Sequence, residues 1–383
     1  MNFYIESDQS ILYIKLFQQL MPNQETILKT NSTIGIIGGG QLGRMACFAA
    51  HSLGFRTVIF TDQKNSPASF VTNQTIVADY DDKEALKKFA SLIDVATFEF
   101  ENIPAATVEF LSSLKAVYPN ADVLKTTQHR ILEKDFLNSI DIKTADYAEI
   151  KSHEDLLKNL EKFGTSILKT ATMGYDGKGQ FVFRGVEQAE EIWRIVSDLV
   201  FSQKLILEKF CPFESEISVI VARSKNGETA TYEPLTNIHK LGILDKSIYP
   251  AKISESLKIK AQKAAEKIAD KLNLIGVLAV EFFVMNDETL LVNELAPRPH
   301  NSGHFSMDAS ITSQFEQLIR AISGLSLGST QFHSEGHMKN LIGQEVNNLE
   351  EFTKNPRAKI HLYGKDKVAE GRKMGHVNIL NSK

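Results

Sequence analysis

Cysteine is scarce in this 383-residue chain: there are two, Cys47 and Cys211, in unrelated contexts. Two such thiols make neither a disulfide framework nor a metal knuckle, and they suit a reducing, cytoplasmic setting. Long apolar runs are missing as well. Nothing approaches the ~18 consecutive residues of a spanning helix, so no membrane role is expected. The N-terminal "ILYIKLF" is interrupted by Lys15, preceded by Glu6 and Asp8, and followed by no small-residue cleavage site, all of which argue against a secretory signal. An excess of one charge is also lacking. The formal balance of −4 argues against non-specific nucleic-acid binding, and no nucleic-acid partner is expected. There is no long internal repeat and no low-complexity linker. Residues 1–32 read as an N-terminal extension of unassigned role.

What remains is enough ordinary globular chain for two or three packed units. The first alternates strand and helix. A strand at 34–37 leads through a glycine loop to a helix from Leu42 to Leu53, which Gly54 is placed to end. "FRTVIFTD" reads as a second strand. "YDDKEALKKFASLI" reads as an amphipathic helix with Leu86, Phe89, Ala90 and Ile93 on one face, opened by a capping box at Asp81 and Glu84. "DVATFEFEN" is a further strand. This alternation predicts a parallel sheet. After about residue 125 come the helix "RILEKDFLNSI", a series of strands, and the helix "ESLKIKAQKAAEKIADKL" with Leu257, Ala261, Ala264, Ile268 and Leu272 on one stripe.

Gly38, Gly39, Gly40 and Gly43 satisfy G-x-G-x-x-G between strand and helix, where free N–H groups suit an anion. Three readings stay open here: NAD, with Asp62 as the ribose-binding acid; another phosphate-bearing substrate; or a tight turn without a ligand.

The most informative local geometry is in "AVEFFVMNDETLLVNELAPRPHNSGH". If Asp287-Glu288 is a two-residue hairpin loop, Asn286 pairs with Thr289, Met285 with Leu290, and Glu281 faces Glu294. A three-residue loop shifts the register by one and keeps the two close. Like charges directly opposite on a sheet are destabilising, and these stand among Val280, Phe282, Phe283 and Val292. A divalent cation resolves the conflict, and Mg²⁺ tends to use one or two carboxylates plus substrate phosphates. The alternative is a solvated edge hairpin or a salt-bridged pair. Upstream, Lys169 ends an apolar strand before a second glycine loop, "MGYDGKGQ", Met173 to Gln180. Glu208 ends the strand "LILE", and Glu216 follows eight residues later.

That order — lysine, glycine loop, acid-ended strand, acid, two-carboxylate hairpin — resembles the ATP-grasp superfamily. "IGIIGGGQLGRM", "TFEFENIP", "GYDGKGQ" and "NELAPRPHNSGH", followed by "SQFEQLIRAI" and "GRKMGH", are similar in wording and order to the N5-carboxyaminoimidazole ribonucleotide synthetase family, from about Thr33 to Val377. The resemblance implies an α/β and α+β architecture. Its parts are a Rossmann-like pre-ATP-grasp parallel-sheet domain (33–124), a small lid subdomain with its linking helix (125–206), and a C-terminal mixed-sheet domain (207–383) carrying the metal hairpin and a substrate-closing tail.

It also implies roles. Arg130 and Lys169 contact the ATP phosphates. Gly174, Tyr175, Asp176, Gly177, Lys178, Gly179 and Gln180 close over them. Glu208, Lys209, Phe210 and Cys211 hold adenine largely by backbone, Glu216 holds the ribose, and His239 lies near the nucleotide. Glu281 and Glu294 bind Mg²⁺, with Mn²⁺ as an alternative, and Asn293 stands beside the phosphates. The ribonucleotide is met by Gly39, Gly40, Gln41, Leu42 and Glu99, with Arg298, His300, Asn301, Arg372 and Lys373 completing a pocket for it and bicarbonate. Lys169, Tyr175, Asp176, Lys178, Arg298 and His300 are the implied catalytic residues, with His300 and Asp176 the candidates for a general base.

The implied activity is ATP-dependent carboxylation of 5-aminoimidazole ribonucleotide with bicarbonate, through carboxyphosphate, in a cytoplasmic homodimer that hands its product to a downstream mutase. Met173 stands where the family usually has glycine, "TAT" follows Lys169 in place of a basic stretch, and Thr236 and Leu241 also depart from the pattern. Three rivals are a formate-dependent ribonucleotide transformylase or other ATP-grasp ligase, an NAD-dependent oxidoreductase, and a non-catalytic nucleotide sensor.

Overall fold

The computed structural model describes residues 27–172, 180–198, 200 and 204–381. Three sheets organise it. The first joins β1 (Thr33–Ile37), β2 (Arg56–Thr61), β3 (Gln74–Val77) and β4 (Val95–Phe98) in the order β3-β2-β1-β4, every pairing parallel. Parallel strands need crossovers, and helices α1 (Gln41–Ser52) and α2 (Lys83–Leu92) supply them. Gly54, at φ +79°, follows α1 in the left-handed region that ends a helix readily. The N-cap of α2 is Asp82, whose side chain accepts from the N–H groups of Glu84 and Ala85; the expected Asp81 capping box is therefore one residue out. Leu86, Phe89, Ala90 and Ile93 are buried, as their spacing predicts.

The second sheet is antiparallel: β5 (Tyr147–Ile150), β6 (Ser166–Thr170), β7 (Gln180–Phe183) and β8 (Leu205–Lys209), in the order β5-β8-β6-β7. The third is the largest. It runs β14 (Leu290–Ala296), β13 (Gly276–Met285), β9 (Phe213–Arg223), β11 (Leu235–Lys240), β12 (Ile243–Tyr249), β15 (Gly336–Ile342), β17 (Lys373–Leu380) and β16 (Ala358–Leu362), with β10 (Thr229–Thr231) beside β9. Its ladders are antiparallel, and one parallel bridge, Thr144 to Val292, adds to its edge.

Helix α3 (Arg130–Ser139) follows the first unit. Helix α4 (Glu255–Lys271) covers one face of the large sheet with Leu257, Ala261, Ala265, Ile268 and Ala269. Ala264 and Leu272 of the expected stripe only flank this core. On the other face, α5 (Gln314–Ser323) packs Phe315, Leu318, Ile319 and Ile322 into one cluster with Met45 and Cys47 of α1 and with Ala222 and Val277 of the sheet. This shared core holds the glycine loop of the first unit against the large sheet. Of the expected extension, only residues 27–32 are described; there the Leu28 N–H donates to the Ser323 carbonyl at the end of α5. No described helix is long and apolar enough to cross a membrane.

Candidate active site

The facing carboxylates are present, reached by a different turn from the simplest one. Residues 286–288 form a three-residue loop: the Met285 N–H donates to the Thr289 carbonyl, the Glu288 N–H donates to the Met285 carbonyl, and Glu288 stands at φ +60°. Val284 pairs with Leu290 and Phe282 with Val292, one residue off the two-residue register. A β-bulge at Asn293 then inserts the missing residue and brings Glu281 opposite Glu294. Asn293 and Glu294 both line the same cavity.

Glu281 is buried, and desolvation pushes its carboxyl well above the usual range, with Glu294 adding repulsion. Arg130 Nη1 lies 3.6 Å from Glu294, and His300 Nε2 lies 3.5 Å from Glu281. Among the described residues no group of three or more His, Cys, Asp or Glu is arranged to hold a metal. The pair fits a hard divalent cation that takes its remaining ligands from substrate phosphate and water.

The pair lies on the wall of a cavity of about 520 Å³. Lys169, Gln180, Glu216, His239 and Arg298 also line it, as do Phe213 and Phe283, whose rings stack at 4.4 Å and 1°. Burial works against charge on His239, but Glu216, 3.3 Å away, and Glu281 raise its proton affinity above the ordinary value.

Lys169 does not stand alone: its Nζ donates to Glu208 at 2.8 Å, and Lys134 Nζ lies 3.7 Å from the same carboxylate. Although burial opposes charge on Glu208, Lys134, Lys169 and Arg130 bring it down to about 2. Glu208 therefore anchors Lys169, and none of Glu208 to Cys211 lines the cavity. The N–H groups of Lys209 and Phe210 are already committed to the carbonyls of Asp146 and Thr165. These two N–H groups hold β8 to its neighbours, so the backbone adenine support expected of Glu208 to Cys211 would fall to other groups of that segment.

A second cavity, about 220 Å³, opens beside the first and is lined by Gly40, Gln41, Leu42 and Glu99. The two share Phe100, Arg298, His300, Asn301 and Lys373. The glycine loop here has an unexpected occupant. The Glu99 carboxylate accepts from the N–H of Gly40 and, at 2.7 Å, from that of Gly43. The start of α1, where a dinucleotide pyrophosphate would sit, is already occupied by the Glu99 carboxyl group. Asp62 is exposed, bonded to Tyr80 at 3.4 Å, and lines neither cavity. The NAD reading of this loop fails on both counts.

At Gly40 a Cβ would meet Glu99 Oε1 at 2.7 Å and displace that carboxyl group, and at Gly38 glycine is required by φ +105° and a 2.4 Å approach to Glu99 Cγ. Burial raises the Glu99 proton affinity in spite of those donors and the nearby Arg298 and Lys365.

His300 keeps a neutral ring: burial, Arg298 and Lys373 hold its pKa well below the ordinary value. Its Nδ1 accepts from the Ser302 N–H at 3.3 Å, so the ring proton sits on Nε2, facing Glu281. The group is a donor in this arrangement.

Arg298 is gripped by Glu101, with Nη2 donating at 2.8 Å and Nε donating to the other oxygen. Gly39 and Arg372 line neither cavity. Gly39 packs on Ser66, and the Arg372 guanidinium donates to the Lys367 carbonyl. The implied lid residues Gly174, Tyr175, Asp176, Gly177, Lys178 and Gly179 lie outside the described residues.

Four participants escaped the sequence reading. Lys134 and Glu133 occupy the inward face of α3, and a signal existed: Lys134 lies four residues after Arg130 and three before buried Leu137. Glu133 accepts from the Leu295 N–H at 2.9 Å, and burial pushes it up to about 8. Glu101, two residues after Glu99, carries no motif signal of its own and is marked only by its grip on Arg298. Lys365 donates to the Lys373 carbonyl at 2.7 Å; burial, then Arg372, pushes it down to about 8.

Comparison with known proteins agrees along the chain. Residues 31–128 match the ribonucleotide synthetase preATP-grasp domain, 135–315 the ATP-grasp domain, and 337–383 the phosphoribosylaminoimidazole carboxylase C-terminal domain. The N5-carboxyaminoimidazole ribonucleotide synthase of Brucella melitensis is 44% identical over 92% of this chain and 97% of its own length. A bifunctional purine synthesis protein of Dictyostelium discoideum is 45% identical, and the chain spans 37% of that longer protein. Among solved structures, an ADP complex of an N5-carboxyaminoimidazole ribonucleotide synthetase superposes with a TM-score of 0.89 at 42% identity, covering 93% and 94% of the two chains. An Aspergillus clavatus N5-carboxyaminoimidazole synthase bound to ADP and 5-aminoimidazole ribonucleotide gives 0.85 at 28% identity, covering 92% and 94%.

Proposed function

This chain belongs to the N5-carboxyaminoimidazole ribonucleotide synthase family of ATP-grasp ligases, and we propose that it carboxylates 5-aminoimidazole ribonucleotide with bicarbonate at the expense of ATP. The observation that carries this reading is the pair of cavities meeting at one wall of Phe100, Arg298, His300, Asn301 and Lys373. One reaction then joins what each holds. The larger takes ATP, with the base beside the Phe213–Phe283 stack, the ribose toward Glu216 and His239, and the phosphates toward Arg130, Lys169, Asn293 and Glu294. The smaller takes the ribonucleotide against Gly40, Gln41, Leu42 and Glu99.

A bicarbonate oxygen attacks the γ-phosphorus, the bond to the β–γ bridging oxygen breaks, and ADP leaves. The exocyclic amine of the ribonucleotide then bonds to the carboxyl carbon. The C–O bond to phosphate breaks, and the amine gives up a proton. Lys169 and Arg130 offset phosphoryl charge, and Glu208 and Lys134 keep Lys169 in place. Neutral His300 directs its Nε2–H towards Glu281 and the shared wall. Mg²⁺, or Mn²⁺, held by Glu281 and Glu294 would neutralise phosphate charge. Gly174 to Gly179 would exclude water, with Tyr175, Asp176 and Lys178 the catalytic candidates there and Asp176 the remaining candidate base. We assign residues 33–124 to the first unit and move the expected 206/207 boundary to just beyond Lys209, because β8 belongs to the second sheet; a cytoplasmic homodimer passing its labile product to a mutase completes the proposal.

The decisive measurement is ADP release with and without 5-aminoimidazole ribonucleotide at controlled bicarbonate. Release is expected to require both. Release indifferent to either, or formate serving in place of bicarbonate, would replace this assignment with another ATP-grasp ligase. ATP binding with no ADP release would leave a nucleotide sensor.

A further inference from the structure

Asn301 stands on the wall common to both cavities, and its carboxamide is paired with that of Asn340, 39 positions later. We propose that Asn340 is a positioning residue for carboxyl transfer, fixing which edge of the Asn301 amide faces the reacting groups. The proposal deepens the functional reading above and rests on it.

Asn340 is a fully buried residue of β15. Its Nδ2 donates to the Leu244 carbonyl of β12 at 2.8 Å and to Asn301 Oδ1 at 2.6 Å. Its Oδ1 accepts from Asn301 Nδ2 at 3.0 Å. A backbone carbonyl can only accept. The reversed Asn340 amide would set its oxygen against the Leu244 oxygen, so the large sheet dictates the sense of this side chain. With that sense given, one orientation of Asn301 satisfies both of its contacts. The opposite one brings oxygen to oxygen and nitrogen to nitrogen. One N–H and one lone pair of Asn301 remain for the cavity side.

The adjacent backbone is held as firmly. The His300 N–H donates to Gln314 Oε1 at 2.9 Å, and Gln314 Nε2 donates to the His300 carbonyl at 2.8 Å. Gln314 belongs to α5 and is fully buried. With residue 300 pinned by its main chain, the freedom left at 301 is that of its side chain, and Asn340 removes it. The result is an oriented N–H donor at the wall where a carboxyl group gains and loses charge, which is where preorganised donors act most strongly.

Asn340→Leu keeps the branched shape, at a larger volume, and removes the polar partner. Its turnover with ribonucleotide is expected to fall on the order of tenfold, the scale of a misplaced donor. ADP released per carboxylated product should rise above the wild-type ratio, and KM for ATP should stay within about twofold. The Asn301→Leu/Asn340→Leu protein replaces both partners with apolar groups. It should regain Tm relative to Asn340→Leu and be no slower than Asn301→Leu alone. Asn340→Ser, too short to reach Asn301, provides the same comparison if the leucine variant does not fold.

Multiplying losses in the double variant would show that Asn340 does not act through Asn301 and would overturn the proposal. So would a lowered Tm with wild-type turnover and coupling ratio in Asn340→Leu or Asn340→Ser. Wild-type protein that releases ADP without requiring ribonucleotide and bicarbonate would instead overturn the functional reading itself.

Discussion

Glu281 carries an electrostatic cost, because it is buried opposite Glu294. Its folded proton affinity is raised, so the folded state holds this proton to a higher pH than the unfolded chain does. Stability from the protonated form is complete below the ordinary value of 4.5 and is lost as pH rises through the raised folded value. Glu133, pushed up to about 8, acts with the same sign. As pH is raised from about 5 towards 9, the Tm of the ligand-free wild type should therefore fall relative to that of Glu281→Gln, against a background in which buried neutral His300, His304 and His376, held well below 6.5, and Lys365, pushed down to about 8, act with the opposite sign. Addition of Mg²⁺ and ATP should flatten the wild-type profile, since binding favours the ionised pair. Thermal melts of both proteins across that range check this; parallel profiles would dissociate Glu281 from the effect.

At the scale of elements, the glycine loop and the start of α1 act together through Glu99. The carboxylate satisfies two N–H groups at a helix start, and an interaction of that kind contributes about 1 kcal/mol. It also forms one wall of the smaller cavity. Gly40→Ala places a methyl group against Oε1, and Glu99 must turn away. That variant should lose roughly 10²-fold in kcat/KM for the ribonucleotide, as a misplaced wall of about 1 Å does, while KM for ATP stays nearly unchanged. Separate saturation curves for the two substrates are the check, and equal losses for both would show that the loop serves the larger cavity as well. The bulge at Asn293 is the matching device on the hairpin, since it corrects a register that the three-residue turn had displaced.

Across the whole molecule, α5 ties α1 to the large sheet and brings the two cavities to a common wall. Lys373, at the start of β17, reaches that wall from the C-terminal end of the chain. Lys373→Ala should weaken the ribonucleotide more than ATP, seen as a larger rise in its KM. The reverse split, with KM for ATP rising more, would exchange the assignments of the two cavities.

The linear chain determined the elements and the chemistry that lies close along it. Alternating strand and helix specified the parallel sheet, and a short turn between two apolar strands brought Glu281 near Glu294, with the bulge at Asn293 setting the two directly opposite. Motif wording carried the family. Contacts between distant segments were decided only by the tertiary structure. Glu99 at the glycine loop spans 59 positions, Glu101 on Arg298 spans 197, and Asn340 on Asn301 spans 39. Lys134 and Lys169 meet at one carboxylate supplied by β8. A hydrophobic period reports which way a side chain faces. It does not report which buried charge or amide arrives from another element to meet it, because that depends on how the three sheets pack together.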